Sequence, residues 1–135
     1  MYRKIIEQVR DELSKYGESL SKGIDNDSTI IFNNKVEKRF CVVLPEEYIA
    51  FLKECNGFEF NGHIIYGSTD FIENNEGVIG DSDEYVYFGE YDIGWICMKN
   101  RDRTYWELDK PSGSPMTKFN CVKDMIEQFI KQAIL

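Results

Sequence analysis

Apolar residues change their spacing twice along this chain, and those two changes limit what it can fold into. Before Gly57 they recur every three or four residues, the period of a helix with one buried face. From Phe58 to Phe119 they gather in short runs rich in aromatic and β-branched residues, separated by polar, glycine-bearing links. After Asn120 the helical period returns. Helices, then a meander of strands, then one helix is the order of an α+β fold: N-terminal helices, a central antiparallel sheet and a C-terminal helix.

Within that frame, Ile5, Ile6, Val9, Leu13 and Tyr16 predict a first helix over residues 2–16, ended by Gly17, with a polar loop to Ser28. Ser28 is the expected cap of a second helix reaching about Arg39, with Phe32, Val36 and Phe40 as its stripe; Thr29-Ile30-Ile31 also suits a strand. Pro45 starts a third helix, where its missing N–H costs nothing, and Glu46 and Glu47 suit the positive end of the helix dipole. Tyr48, Phe51, Leu52 and Cys55 form its face, and Asn56-Gly57 is the expected left-handed stop. Strands are predicted at 64–66, 85–91, 94–98, 104–108 and 116–119, with a short helix suited to 69–75. Asn120 is the expected cap of a last helix carrying Val122, Met125, Ile126, Phe129, Ile130 and Ala133 on one stripe.

A length of 135 residues fits a single domain over 1–135. Sixteen basic residues against 24 acidic ones give a net charge of −8. That balance argues against nucleic acid, whose backbone is bound mainly through Lys and Arg, and against anionic membranes. It favours a basic protein partner, whose encounter rate it raises. With no run of 18 apolar residues and no apolar block near Met1, the expected location is the cytoplasm. Cys41, Cys55, Cys97 and Cys121 form no CxxC pair, so neither a metal nor any other cofactor is expected, and the thiols read as small core or half-buried groups. GxSxG, Walker A, GxGxxG and HExxH patterns are missing, and His63, eight residues from Cys55, has no third orienting group, so no catalytic role is assigned.

The third helix carries a recognisable pattern. Val36-Glu37, Phe40, Leu44-Pro45, Tyr48, Phe51-Leu52 and Asn56-Gly57 are followed by Ile65-Tyr66-Gly67, Phe88-Gly89, Gly94-Trp95 and Tyr105-Trp106-Glu107-Leu108. In these residues the chain resembles the SUKH superfamily, which includes yeast cell-wall assembly regulators of the Smi/Knr type. The resemblance covers most of residues 28–133, with Cys41 standing where many members carry glycine. It implies a SUKH-type fold. It also implies the role of most bacterial members, immunity proteins that neutralise a cognate secreted polymorphic toxin by direct binding in the cytoplasm, the toxin being for example a nuclease or deaminase. The alternative it implies is a regulatory scaffold, as in eukaryotic members; a small enzyme is a third reading. Self-association stays open.

One charge block stands out. Between Lys53 and Lys99 there is no Lys or Arg, while Glu54, Glu59, Asp70, Glu73, Glu76, Asp81, Asp83, Glu84, Glu90 and Asp92 are all acidic. Beside the acids lie Tyr85, Tyr87 and Tyr91, residues that give contact area plus a hydrogen-bonding tip. Glu73, Glu76, Asp81, Asp83, Glu84, Tyr85 and Tyr87 are therefore the candidate partner-binding residues. The competing reading is a solvated loop with strands whose tyrosines face the core. The trio Asp81, Asp83 and Glu84 lacks the spacing of a calcium loop.

Overall fold

The computed structural model describes residues 1–79 and 84–135. Its elements run α1 (Arg3–Ser14), α2 (Asn26–Phe40), α3 (Glu46–Glu54), β1 (Phe58–Phe60), β2 (His63–Ile65), α4 (Phe71–Ile79), β3 (Tyr85–Tyr91), β4 (Gly94–Lys99), β5 (Thr104–Asp109), β6 (Pro115–Phe119) and α5 (Val122–Ile134). The strands form one six-stranded antiparallel sheet in sequence order, as an α+β reading requires.

Helix ends differ from expectation where side-chain chemistry competes. Asp25, not Ser28, caps α2: its Oδ1 accepts the Ser28 N–H at 2.7 Å, and its carbonyl takes the Thr29 hydroxyl at 2.7 Å. Ser28 thus lies inside the first turn. The strand alternative at Thr29–Ile31 fails because the helix buries Thr29, Phe32 and Val36 on one stripe and leaves Ile30 and Ile31 exposed. Asn120 is likewise not the cap of α5. That helix follows Cys121, whose side chain makes no capping bond, and the Lys123 N–H is met from α3 by Glu47 Oε1 at 3.1 Å. A carboxylate distant in sequence therefore satisfies one of the orphan donors that a local cap would serve.

The exit from α3 also takes two steps. Cys55 leaves the helix in an extended conformation, and Gly57 then turns left-handed with φ +102°. A Cβ at Gly57 would sit 3.2 Å from the Gly67 backbone nitrogen, so this close approach needs glycine. The Asn56 side chain locks it, accepting the Ser68 N–H at 2.8 Å and donating to Ser68 Oγ at 2.9 Å. β1 and β2 then form a hairpin over Asn61-Gly62, both with positive φ, the conformation that matches strand twist in two-residue turns. The three-residue β1 carries too short an alternation to be read from sequence.

Register sorts the sheet into two faces. Val86, Met98, Tyr105 and Phe119 are cross-strand partners on one face, with Ile96 beside them. That face lies under α5: a cleft between them is lined by Ile96, Phe119 and Phe129, and Tyr91 and Phe129 meet edge to face at 6.0 Å. The core continues into α1 and α3 through Tyr2 and Phe51, whose rings meet edge to face at 5.3 Å, and through Tyr48, Phe71 and Phe88. The opposite face carries the rows Tyr85–Lys99–Thr104, Tyr87–Cys97–Trp106–Lys118 and Glu90–Trp95–Leu108.

Candidate partner-binding surface

The surface around α4 is built by one buried asparagine. β2 pairs with β3 only at Glu90 and Gly89, plus a bond from the Tyr66 N–H to the Phe88 carbonyl, which leaves the first half of β3 with an open edge. Asn75 of α4 fills the next place. Its Oδ1 accepts the Tyr87 N–H at 2.8 Å, and its Nδ2 donates to the Tyr87 carbonyl at 2.9 Å and to the Phe71 carbonyl at 2.9 Å. The side-chain amide thus mimics a strand's peptide group at the point where the β3–β4 register slips between Tyr87 and Gly89. Asn75 is fully buried, so these bonds are made in a setting where an unmade one would be costly.

With Asn75 turned to β3, Glu73 and Glu76 stand exposed on α4. Glu76 reaches Arg39 of α2, Oε2 to Nη2 at 3.0 Å, with both side chains well solvated. Glu84 is exposed immediately before β3, and its carbonyl accepts the Asn100 N–H at 2.9 Å. Tyr85 and Tyr87 follow on the strand, each only 9% exposed, their rings 6.3 Å apart. Burial raises both phenols above their ordinary range, Tyr87 to about 12 with Cys97, Tyr85 and Glu84 adding to the effect. Asp81 and Asp83 lie outside the described residues.

α4 therefore carries Glu73 and Glu76 exposed, Glu84, Tyr85 and Tyr87 follow one another at the start of β3, and Asn75 joins the two elements. The other acids of the block go elsewhere. Glu54 accepts the Tyr2 backbone N–H at 3.2 Å, and Glu59 is exposed on β1. Glu90, on the same sheet face as Tyr85 and Tyr87, is taken up by the Tyr66 hydroxyl and by Lys110 Nζ at 3.1 Å. Asp92 lies in the β3–β4 turn; eight residues of extended chain separate it from Glu84, roughly 26 Å at about 3.3 Å per residue. Sequence reasoning missed Asn75, whose only signal is a polar residue inside an otherwise apolar-faced helix.

Cys55 and His63 do not form a catalytic pair. The Cys55 thiol donates to the Gly57 carbonyl at 2.8 Å, and burial pushes it up to about 11. His63 stacks on Tyr91 at 4.9 Å and meets Phe129 at 5.0 Å, with Nδ1 3.1 Å from the Asn61 carbonyl. Cys97 is fully buried and its thiol is likewise raised by burial, so neither thiol is set up as a nucleophile. Among the described residues no group of His, Cys, Asp and Glu is arranged to hold a metal ion, and no helix is long and apolar enough to cross a membrane.

No match is found among curated proteins. Residues 29–128, from the first turn of α2 into α5, match the SMI1 / KNR4 family (SUKH-1). That span holds the Leu44-Pro45 helix entry, the Asn56-Gly57 turn and all six strands of the sheet, and the chain belongs to the SMI1 / KNR4 (SUKH-1) family.

Proposed function

We propose that this chain is an immunity protein that binds a cognate secreted toxin in the cytoplasm and neutralises it by occupying a basic surface. Membership of the SUKH-1 family supports a binding role, since bacterial relatives of this type are mostly immunity proteins. The observation that carries the assignment of the site is the α4–β3 edge, where Glu73, Glu76 and Glu84 stand exposed on backbone that Asn75 clamps to the sheet. Asp81 and Asp83 complete the acidic stretch in sequence, and Tyr85 and Tyr87 lie at its border. A nucleic-acid-degrading or nucleic-acid-modifying toxin holds phosphates in a cationic cleft, so carboxylates preset on a rigid edge match it in sign and give fast association. No catalytic step and no cofactor enter this reading.

The test is the toxin domain encoded beside this gene, mixed with the purified chain. A stable 1:1 complex is expected, along with loss of toxin activity. Asp81→Lys, Asp83→Lys and Glu84→Lys together slow association at least ten-fold at low salt and leave the far-UV spectrum unchanged. Unaltered association and protection remove the acidic edge as the site. Recovery of cell-wall or signalling proteins instead of a toxin favours the regulatory-scaffold reading.

A further inference from the structure

The sheet face turned away from α5 carries a second surface of opposite character. In its central row, Tyr87, Cys97, Trp106 and Lys118 are successive cross-strand neighbours; Tyr87 and Cys97 are buried, and Trp106 and Lys118 reach the surface. The rows on either side add Lys99 and Trp95. The rings run on from the buried tyrosines: Tyr87 lies 5.3 Å from Trp95. Trp95 and Trp106 are half-buried, and the Trp106 indole N–H is fixed on Thr104 Oγ1 at 2.8 Å. Lys110 Nζ stands 5.6 Å from the Trp95 ring and Lys118 Nζ 5.6 Å from the Trp106 ring, both within cation–π range.

The two lysines differ in what satisfies them. Lys110 is neutralised by Glu90. Lys118 is exposed and has no carboxylate within ion-pair distance among the described residues; Lys99 makes no ion pair at that distance either, but, after the hydrogen bond from the Thr104 hydroxyl, its charge helps hold the neighbouring Asp102 carboxylate below its ordinary range. An ammonium group resting on an indole face has its stem ordered but its charge unmatched, which is a prepared contact for an anion beside an aromatic platform.

We propose that the Trp95–Trp106–Lys118–Lys99 face docks an acidic, apolar-bearing segment of a partner protein, its carboxylates on Lys118 and Lys99 and its apolar side chains on the indoles. Nucleic acid would meet the same groups, but a long polyphosphate would feel the net charge of −8, whereas a short segment is governed by charges within a Debye length of about 10 Å. This surface goes beyond the toxin-binding reading and needs no toxin to test.

Both tryptophans of the chain lie here, so intrinsic tryptophan emission reports occupancy directly. The probes are a blocked peptide alternating Glu and Phe, its Lys–Phe counterpart, and an oligothymidylate. The Glu–Phe peptide is expected to change the emission saturably. Lys118→Glu weakens that response at least ten-fold, Lys99→Glu weakens it by a smaller factor, and Trp106→Phe weakens it while Trp95 still reports. Each variant is first shown to keep its far-UV spectrum and unfolding midpoint. The proposal is overturned by no saturable change, by an equal response to the Lys–Phe peptide, or by tighter binding of the oligothymidylate. An emission change on raising the concentration of the chain alone also overturns it, because the occupant is then a second copy.

Discussion

On the α4 side of β3 the carboxylates come from one continuous stretch of chain, whereas the aromatic and cationic groups of the open face come from three different strands. The first surface is therefore written in the sequence as a run without Lys or Arg, and the second is written only in the register. They also differ in how they are held. The acidic edge depends on a side-chain amide standing in for a missing strand. The lysine face rests on the regular β4–β5 ladder, which runs without slippage from Gly94–Asp109 to Lys99–Thr104. A region fixed by one amide can be loosened by one substitution; a region fixed by a ladder cannot.

Asn75→Leu puts that difference to its hardest test. The substitution keeps the branched shape and the number of side-chain heavy atoms, and leaves both the Tyr87 N–H and its carbonyl buried without a partner, at about 1–3 kcal/mol each. A stability loss of about 3 kcal/mol is expected in urea titration. Hydrogen exchange localises it: α4 and the first half of β3 lose protection first, and β4 and β5 keep theirs. A loss under about 1 kcal/mol, or loss of protection spread evenly over the sheet, would mean the acidic edge is held by something other than this amide.

Tyr66→Phe probes the seam between the two regions. Tyr66 donates its hydroxyl to Glu90, and Glu90 in turn neutralises Lys110 on the indole side, while the Tyr48 hydroxyl donates to the Tyr66 carbonyl from the core. Burial first, and then the neighbouring Glu90, hold the Tyr66 phenol far above its ordinary value, so it is a permanent donor at any pH the fold tolerates. Removing the hydroxyl costs about 1–2 kcal/mol, the lower end being favoured because the Glu90 carboxylate is partly solvated. Emission from Trp95 shifts with it if Lys110 relaxes, and the association rate at the acidic edge stays the same. A changed association rate would show that the two surfaces are one coupled unit.

The two surfaces were unequally legible for a physical reason. Strands at 85–91, 94–98 and 104–108 follow from alternation and β-propensity, and the helix faces of α1, α3 and α5 follow from period, because both signals are local; the exception is Tyr16, expected on the α1 face but exposed beyond the helix end at Ser14. Caps were misplaced wherever the donor's partner was decided by competition, as with Asp25 over Ser28, or by tertiary contact, as with Glu47 serving α5. The same limit hid the lysine face. Trp95, Cys97 and Lys99 alternate visibly, as do Thr104, Trp106 and Leu108, but only the pairing of Cys97 with Trp106 and of Trp106 with Lys118 makes them one surface.

Cys41 offers the smallest effect and a control outside both regions. It ends α2 at φ 56°, ψ 38°, its N–H bonded to the Glu37 carbonyl at 2.9 Å, in the left-handed conformation that glycine adopts most readily. A side chain there meets its own backbone at a cost of about 1–2 kcal/mol, while glycine adds about 0.5–1 kcal/mol of chain entropy to the unfolded state. The difference favours Cys41→Gly by about 0.5–1 kcal/mol, and the exposed thiol contributes no buried packing to offset it. A raised urea midpoint with an unchanged slope is expected, with peptide response and partner association both unaltered. Since this change stabilises the helix that carries Arg39, a parallel gain in association would trace the Glu76–Arg39 ion pair into the acidic surface and extend that surface onto α2.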